Sequence, residues 1–136
     1  VELYEPLALE QEINLVLDAP RPQICKGEAD LLFQMFANVL DNALKYTPAG
    51  GNITVRLRSD KGNSGHSVVM SDSGPGIPLS ERKNVFRRFY RVESSRGEHP
   101  GHGLGLSLVQ AIAQFHYGKV ELGSNNPGLQ VRVILP

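Results

Sequence analysis

Three groups of residues in this sequence are of types and spacings that can do chemistry. Asp72 opens the run Asp72-Ser73-Gly74-Pro75-Gly76-Ile77-Pro78, in which two glycines flank a proline. Such a turn lets backbone approach a flat ligand with no side chain in the way. A carboxylate at its head can accept a hydrogen bond from an exocyclic amine such as that of adenine; a plain tight turn opened by aspartate fits the same letters. The second group is Gly101-His102-Gly103-Leu104-Gly105-Leu106. Its glycines and unpaired N–H groups stand where a helical pattern begins, which attracts phosphate through the donors and the helix dipole, although glycine at a helix start can also be purely structural. The third group is a stripe of Gln34, Asn38, Asp41, Asn42 and Lys45 on one side of a helical pattern. Asparagine is a poor helix former unless something uses its side chain, so this stripe is suited to binding rather than to solvation alone.

Other groups are less specific. In Phe86-Arg87-Arg88-Phe89-Tyr90-Arg91 the aromatics can anchor a loop while Arg88 or Arg91 reaches a phosphate, or the arginines can form a solvated basic helix end. His99 and His102 have the spacing of a metal pair but no evident third ligand. Cys25 reads as a small apolar residue. Leu106 stands where a dinucleotide fingerprint needs its third glycine, no strand precedes it, and no GxxxxGK[ST] run occurs, so the Rossmann and P-loop readings fail.

The elements that position these residues follow from periodicity. In residues 31–48 the apolar positions Leu31, Leu32, Met35, Phe36, Val39, Leu40, Ala43 and Leu44 recur at helical spacing, which buries one side of a helix capped by Asp30 and ended at Thr47-Pro48. Lys45 and Tyr46 then lie in its last turn. Residues 13–17 are apolar and β-branched enough for a strand, and residues 23–26 for a second short one. Residues 52–58 alternate with period two, setting Ile53, Val55 and Leu57 on one face, and residues 66–71 return as an antiparallel neighbour. Ser80 caps an expected helix to Phe89 with Val85, Phe86 and Phe89 inward. A polar stretch with Gly and Pro precedes a helix from residue 103 to His116, with Leu104, Leu108, Ile112 and Phe115 inward and Gly118 as its stop. Strands at 119–122 and 129–135 are joined by Asn125-Asn126-Pro127-Gly128, whose Pro-Gly pair suits a type II turn. Residues 1–11 form a short helix or extended lead-in interrupted by Pro6. The fold class expected is a two-layer α/β (α+β) sandwich: a mixed, mostly antiparallel sheet of about five strands, covered on one face by about three helices.

A length of 136 residues fits a single domain, 1–136. Lys+Arg and Asp+Glu are both 14, so no basic excess favours nucleic acid or an acidic membrane surface. The single cysteine excludes an internal disulfide and suits a reducing compartment. No apolar run approaches the roughly 20 residues of a membrane span, and the start VELYEPLALEQE lacks the order of a signal peptide. The chain is expected to be soluble, cytoplasmic and monomeric, and the missing initiator Met suggests part of a longer protein.

Taken in order, NVLDNALKYTP (residues 38–48), DSGPGIP (72–78), FRRFYR (86–91) and GHGLGLSLV (101–109) closely resemble the N, G1, F and G2 boxes of sensor histidine kinases. The chain resembles their catalytic, ATP-binding domain, a Bergerat-fold relative of the gyrase and MutL ATPases. The resemblance implies Asn42 as the Mg²⁺ ligand, with Asn38 supporting metal or phosphate, Lys45 on phosphate and Tyr46 against adenine. It implies Asp72 as acceptor for the adenine amine, with Gly74, Gly76 and Ile77 closing in. Tyr90 and Arg91 would meet the terminal phosphate, and Gly101, Gly103, Leu104, Gly105 and Leu106 would flank the hinge of an ATP lid over residues 92–102. Asn38, Lys45 and Arg91 are the catalytic candidates, and ATP and Mg²⁺ the implied cofactors. The implied reaction moves the γ-phosphoryl group of ATP to a histidine nitrogen.

Departures narrow this further. Gln34 stands where Bergerat ATPases carry a glutamate that activates water, which suits transfer over hydrolysis. The family's usual Gly-Gly after the last helix is Tyr117-Gly118 here. None of His66, His99, His102 or His116 lies in a phosphoacceptor context, so the acceptor histidine, its dimerisation domain and any sensor are expected upstream. This chain alone is not expected to phosphorylate itself. The implied partners are that dimerisation domain, in a homodimeric bacterial inner-membrane sensor kinase, and a cognate response regulator. Two alternatives stand beside this: an ATP-binding regulatory module without transfer, and a protein-serine kinase of the anti-sigma type. Asp41 shares the polar stripe and has no role in this reading.

Overall fold

The computed structural model of the chain describes residues 1–59, 65–82, 84–86 and 105–136. The alternating segments form strands β1 (Asn14–Asp18), β2 (Asn52–Ser59), β3 (His66–Asp72), β4 (Lys119–Ser124) and β5 (Leu129–Leu135); the helices are α1 (Glu5–Glu10), α2 (Ala29–Tyr46) and α3 (Gly105–Phe115). The sheet order is β1-β2-β3-β5-β4, with β1 parallel to β2 and the other neighbours antiparallel. This is the mixed, mostly antiparallel sheet expected.

Period-two alternation gives the sheet two unlike faces. Leu17, Val55, Met70, Val131 and Leu122 register in one row across the five strands. Ile53, Val68, Val133 and Leu135 share that face and are buried, in one core with Met35, Val39, Leu40, Ala43 and Leu44 of α2 and Val109, Ile112 and Ala113 of α3. Each Val, Leu, Ile or Met side chain among them, fully buried, contributes roughly 1.5–3 kcal/mol relative to exposure. The adjacent row on the open face reads Asp18, Arg56, Val69, Arg132, Glu121, and Asp18 pairs with Arg58 at 2.7 Å.

Several local expectations are corrected. The N-cap of α2 is Glu28, not Asp30, and it makes no side-chain cap. Instead the Glu28 backbone N–H donates to His116 Nε2 at 3.0 Å, while His116 Nδ1 lies 2.8 Å from the Ile112 carbonyl. One buried imidazole thereby ties the start of α2 to the end of α3. Because His116 takes the inward slot, Phe115 does not; it is 62 % exposed and stands edge-on to the imidazole. The stop after α3 is a Schellman motif with Tyr117, at φ 61°, in the left-handed position, closed by Tyr117 N–H to Gln114 O and Gly118 N–H to Ala113 O.

Pro6 does not interrupt the lead-in but sits in the first turn of α1, where its missing N–H costs nothing. Residues 23–26 form no strand: Pro20 and Pro22 fix the approach, Gln23 turns its Oε1 to His66 at 2.7 Å, and Ile24 is exposed. In place of the start of a helix from Ser80 there are two 3-10 turns, Leu79–Glu81 and Asn84–Phe86. Ser80 lies inside the first of them, and Arg82 Nε caps the Ile77 carbonyl at 3.3 Å. Val85 is buried and Phe86 half-buried, as expected, while Phe89 lies outside the described residues. In the β4–β5 connection the Asn126-Pro127 bond is cis, and Asn126 and Gly128 hold positive φ of 48° and 117°. Among the described residues there are three α-helices, one of them α1 in the lead-in.

Candidate functional site

Asp72 is the last residue of β3, on the helix-covered face, and is 7 % exposed. Its Oδ1 accepts the Gly74 N–H at 2.9 Å and the Leu129 N–H at 3.1 Å. Burial pushes the carboxyl pKa up, and these two backbone donors pull part of that back. Both bonds are on Oδ1, so Oδ2 takes part in neither. Ser73 fixes the turn to β2, its Oγ accepting the Asn52 N–H at 2.8 Å and its own N–H reaching the Asn52 carbonyl at 3.1 Å.

The turn after Asp72 lies against the end of α2, so close that a Cβ at Gly74 would sit 2.5 Å from the Tyr46 carbonyl oxygen. At the other side of the helix end, a Cβ at Gly105 would sit 2.9 Å from Asn42 Nδ2. The Asp72 turn, the last turns of α2 and the first residue of α3 therefore converge. On α2, Asn38, Asn42 and Tyr46 are half-buried and Lys45 is exposed; Ile77 and Leu106 are half-buried at the rims. Gly76 holds φ at +75° inside the turn. Tyr90, Arg91, Gly101, Gly103 and Leu104, with the expected lid at 92–102 and with Arg87, Arg88, His99 and His102, lie outside the described residues.

Sequence reasoning did not find every residue here. Asn125 Nδ2 donates to the Asp72 carbonyl at 2.7 Å, and Leu129 supplies one of the carboxylate's two donors; residues this far along the chain give no local signal. Asp41 now has a place. The Tyr4 hydroxyl pKa is raised by burial, then by the Asp41 charge and a hydrogen bond to Asp41, and the hydroxyl lies 3.5 Å from the Ala37 carbonyl. Asp41 thus faces Tyr4 of the N-terminal segment. Among the described residues, Thr47 Oγ1 is a buried polar atom without a partner.

Among the described residues no group of three His, Cys, Asp or Glu can hold a metal. An amide such as Asn42 fits Mg²⁺, which takes oxygen ligands, keeps several waters and draws further ligands from phosphates. No described helix is long and apolar enough to cross a membrane.

The profile of histidine kinase-, DNA gyrase B-, and HSP90-like ATPases matches residues 27–136. Signal transduction histidine-protein kinase/phosphatase MprB of Mycolicibacterium smegmatis is 43 % identical over 115 residues, 81 % of this chain and 23 % of that protein. Adaptive-response sensory kinase SasA of Synechocystis sp. is 37 % identical over 126 residues, 91 % of this chain and 32 % of that protein. The chain thus spans about a quarter to a third of these relatives. A solved structure of mycobacterial MprB superposes with a TM-score of 0.86 at 32 % identity, covering 99 % of this chain and 89 % of that one. Full-length ShkA, solved with AMPPNP, gives 0.83 at 28 % identity, covering 99 % of this chain and 28 % of that one. By profile, sequence and fold, the chain belongs to the histidine kinase-, DNA gyrase B- and HSP90-like ATPase family and is an ATPase domain of the sensor histidine kinase type.

Proposed function

We propose that this domain binds Mg²⁺-ATP and transfers the γ-phosphoryl group to a histidine on a separate dimerisation domain of a two-component sensor kinase. The observation that carries the reading is the convergence of three groups: a buried carboxylate with one oxygen held by backbone, the polar end of α2, and the start of α3 against Asn42. Asp72 accepts the adenine amine, Gly74, Gly76 and Ile77 line its approach, and Tyr46 packs on the base. Asn42, supported by Asn38, is the metal ligand; Mg²⁺, when bound, offsets phosphate charge. Lys45, Tyr90 and Arg91 hold the phosphates, with Gly101, Gly103, Leu104, Gly105 and Leu106 at the lid hinge. The histidine nitrogen attacks the γ-phosphorus, the bond to the β–γ bridging oxygen breaks, and ADP leaves. The protein's part is alignment and charge stabilisation.

Gln34, exposed in the second turn of α2, is no base for activating water, which favours transfer over hydrolysis. In this reading the parent is a homodimeric bacterial sensor kinase of the inner membrane that presents the domain to cytoplasmic ATP and signals to a response regulator. The test supplies γ-labelled ATP, Mg²⁺ and a separately made dimerisation domain carrying the acceptor histidine. Acid-labile, base-stable label on that domain is expected. Acid-stable label would indicate a serine kinase, and tight ATP binding with no transfer would indicate a binding module; either result overturns the proposal.

A further inference from the structure

We infer that the β4–β5 turn, residues 125–128, is a positioning element for the Asp72 carboxylate, and that Asn125 thereby sets how strictly the site prefers an amine-bearing purine. The inference rests on the reading of Asp72 as the adenine acceptor. Regular pairing between β3 and β5 runs to Ser71 opposite Gln130 and stops there. At the next step the partners are exchanged. The Leu129 N–H goes to the Asp72 carboxylate at 3.1 Å, and the Asp72 carbonyl is satisfied by the Asn125 side chain at 2.7 Å. Main chain thus holds the Asp72 side chain while a side chain holds its main chain.

Asn125 also closes its own turn, donating its backbone N–H to the Gly128 carbonyl at 3.0 Å. The same residue therefore fixes both the turn and the strand end it supports. Gly128 makes the approach possible: it sits at φ +117°, and a Cβ there would fall 1.8 Å from the Asp72 carbonyl oxygen. Any other residue must push the turn away from Asp72. The Asn125 side chain is exposed, so truncating it opens no core cavity. Part of the turn is held independently, by Ser124 Oγ to Asn126 Oδ1 at 2.8 Å and Asn126 N–H to Ser124 Oγ at 3.3 Å. Losing the Asn125 amide is therefore felt chiefly at Asp72. A displaced Asp72 loses its bond to an exocyclic amine, whereas a purine without that amine has no such bond to lose.

The test is competitive binding of ADP and of IDP, which carries a carbonyl where adenine carries its amine, to the wild type, Asn125→Ala, Asn125→Asp and Asp72→Asn. Asn125→Ala is expected to weaken ADP by about threefold to tenfold, the loss of one hydrogen bond, and IDP by less than about twofold on the same scale. Asn125→Asp, which keeps the size and turns an acceptor toward the Asp72 carbonyl, should lower ADP affinity further. Proportional losses for ADP and IDP, or an ADP affinity unchanged in both Asn125 variants, would overturn the inference. If Asp72→Asn weakens ADP while the Asn125 variants do not, only the turn's role fails. If Asp72→Asn leaves ADP unaffected, the adenine reading fails, and this inference with it.

Discussion

At the Asp72 corner the carboxylate is set by main chain: Gly74 and Leu129 hold its Oδ1, Ser73 pins the turn to β2, and Asn125 holds the strand end. At the polar end of α2 the binding groups are side chains projecting from a helix whose other face is core. Among the described residues no hydrogen bond fixes Asn38, Asn42 or Lys45, and Lys45 is exposed. The two ends therefore do different work. In the proposed reading, a buried, preset acceptor would select a base with little adjustment on binding, while unfixed amides and a lysine would adapt to phosphates and a hydrated cation. The preset end carries a penalty, because burial disfavours the charged form of Asp72 on which the proposed adenine contact relies.

The largest expected effect breaks the preset end. Asp72→Asn keeps an oxygen for the two N–H groups but can place an amide donor toward the adenine amine. ADP affinity measured by calorimetry should fall roughly 10- to 100-fold, the value of a hydrogen bond to a charged group. At the adaptable end, Asn42→Ala should lower Mg²⁺-ATP affinity on the order of tenfold and remove the Mg²⁺ dependence of binding while thermal unfolding stays cooperative. Unchanged Mg²⁺ dependence would remove Asn42 from the metal.

The penalty at Asp72 gives a pH signature. Its pKa is raised in the fold, so as pH rises from the ordinary carboxylate value, about 3.9, through the raised one, the unfolded state ionises first and wild-type stability falls. Asp72→Asn lacks this slope. Its stability relative to wild type, from urea midpoints, should therefore improve between about pH 4 and neutrality. A constant difference would mean that the Asp72 charge is not destabilising. The smallest effect is a control at a residue placed in neither end: Tyr117→Gly relieves a left-handed residue and should add roughly 1 kcal/mol of stability, leaving nucleotide affinity unchanged.

Legibility followed the range of the signal. The long amphipathic helix and the alternating strand β2 were readable because periodicity is local, and Asp72 because its turn letters are. The exchange of partners between Asp72, Asn125 and Leu129 was not, since the Asn125 amide bonds a carbonyl 53 residues earlier. Asp41 is illegible for the same reason; the residue whose hydroxyl its charge acts on, Tyr4, belongs to the lead-in. At Leu79–Glu81 and Asn84–Phe86 the local signal misled: the apolar spacing is compatible with a helix, but the backbone makes 3-10 turns, with Glu81 N–H to Pro78 O at 2.9 Å and Arg82 N–H to Leu79 O at 3.4 Å. His116 falls at the end of a helical pattern, and its clamp on Glu28, 88 residues away, leaves no local trace.

The most direct test of the division between the two ends is ATP binding, by calorimetry, to wild type, Asp72→Asn and Asn42→Ala, each with and without Mg²⁺. Asp72→Asn should lose the same factor in both conditions, and Asn42→Ala should lose affinity only when Mg²⁺ is present. Equal wild-type affinity with and without Mg²⁺, or one pattern shared by both variants, would contradict it.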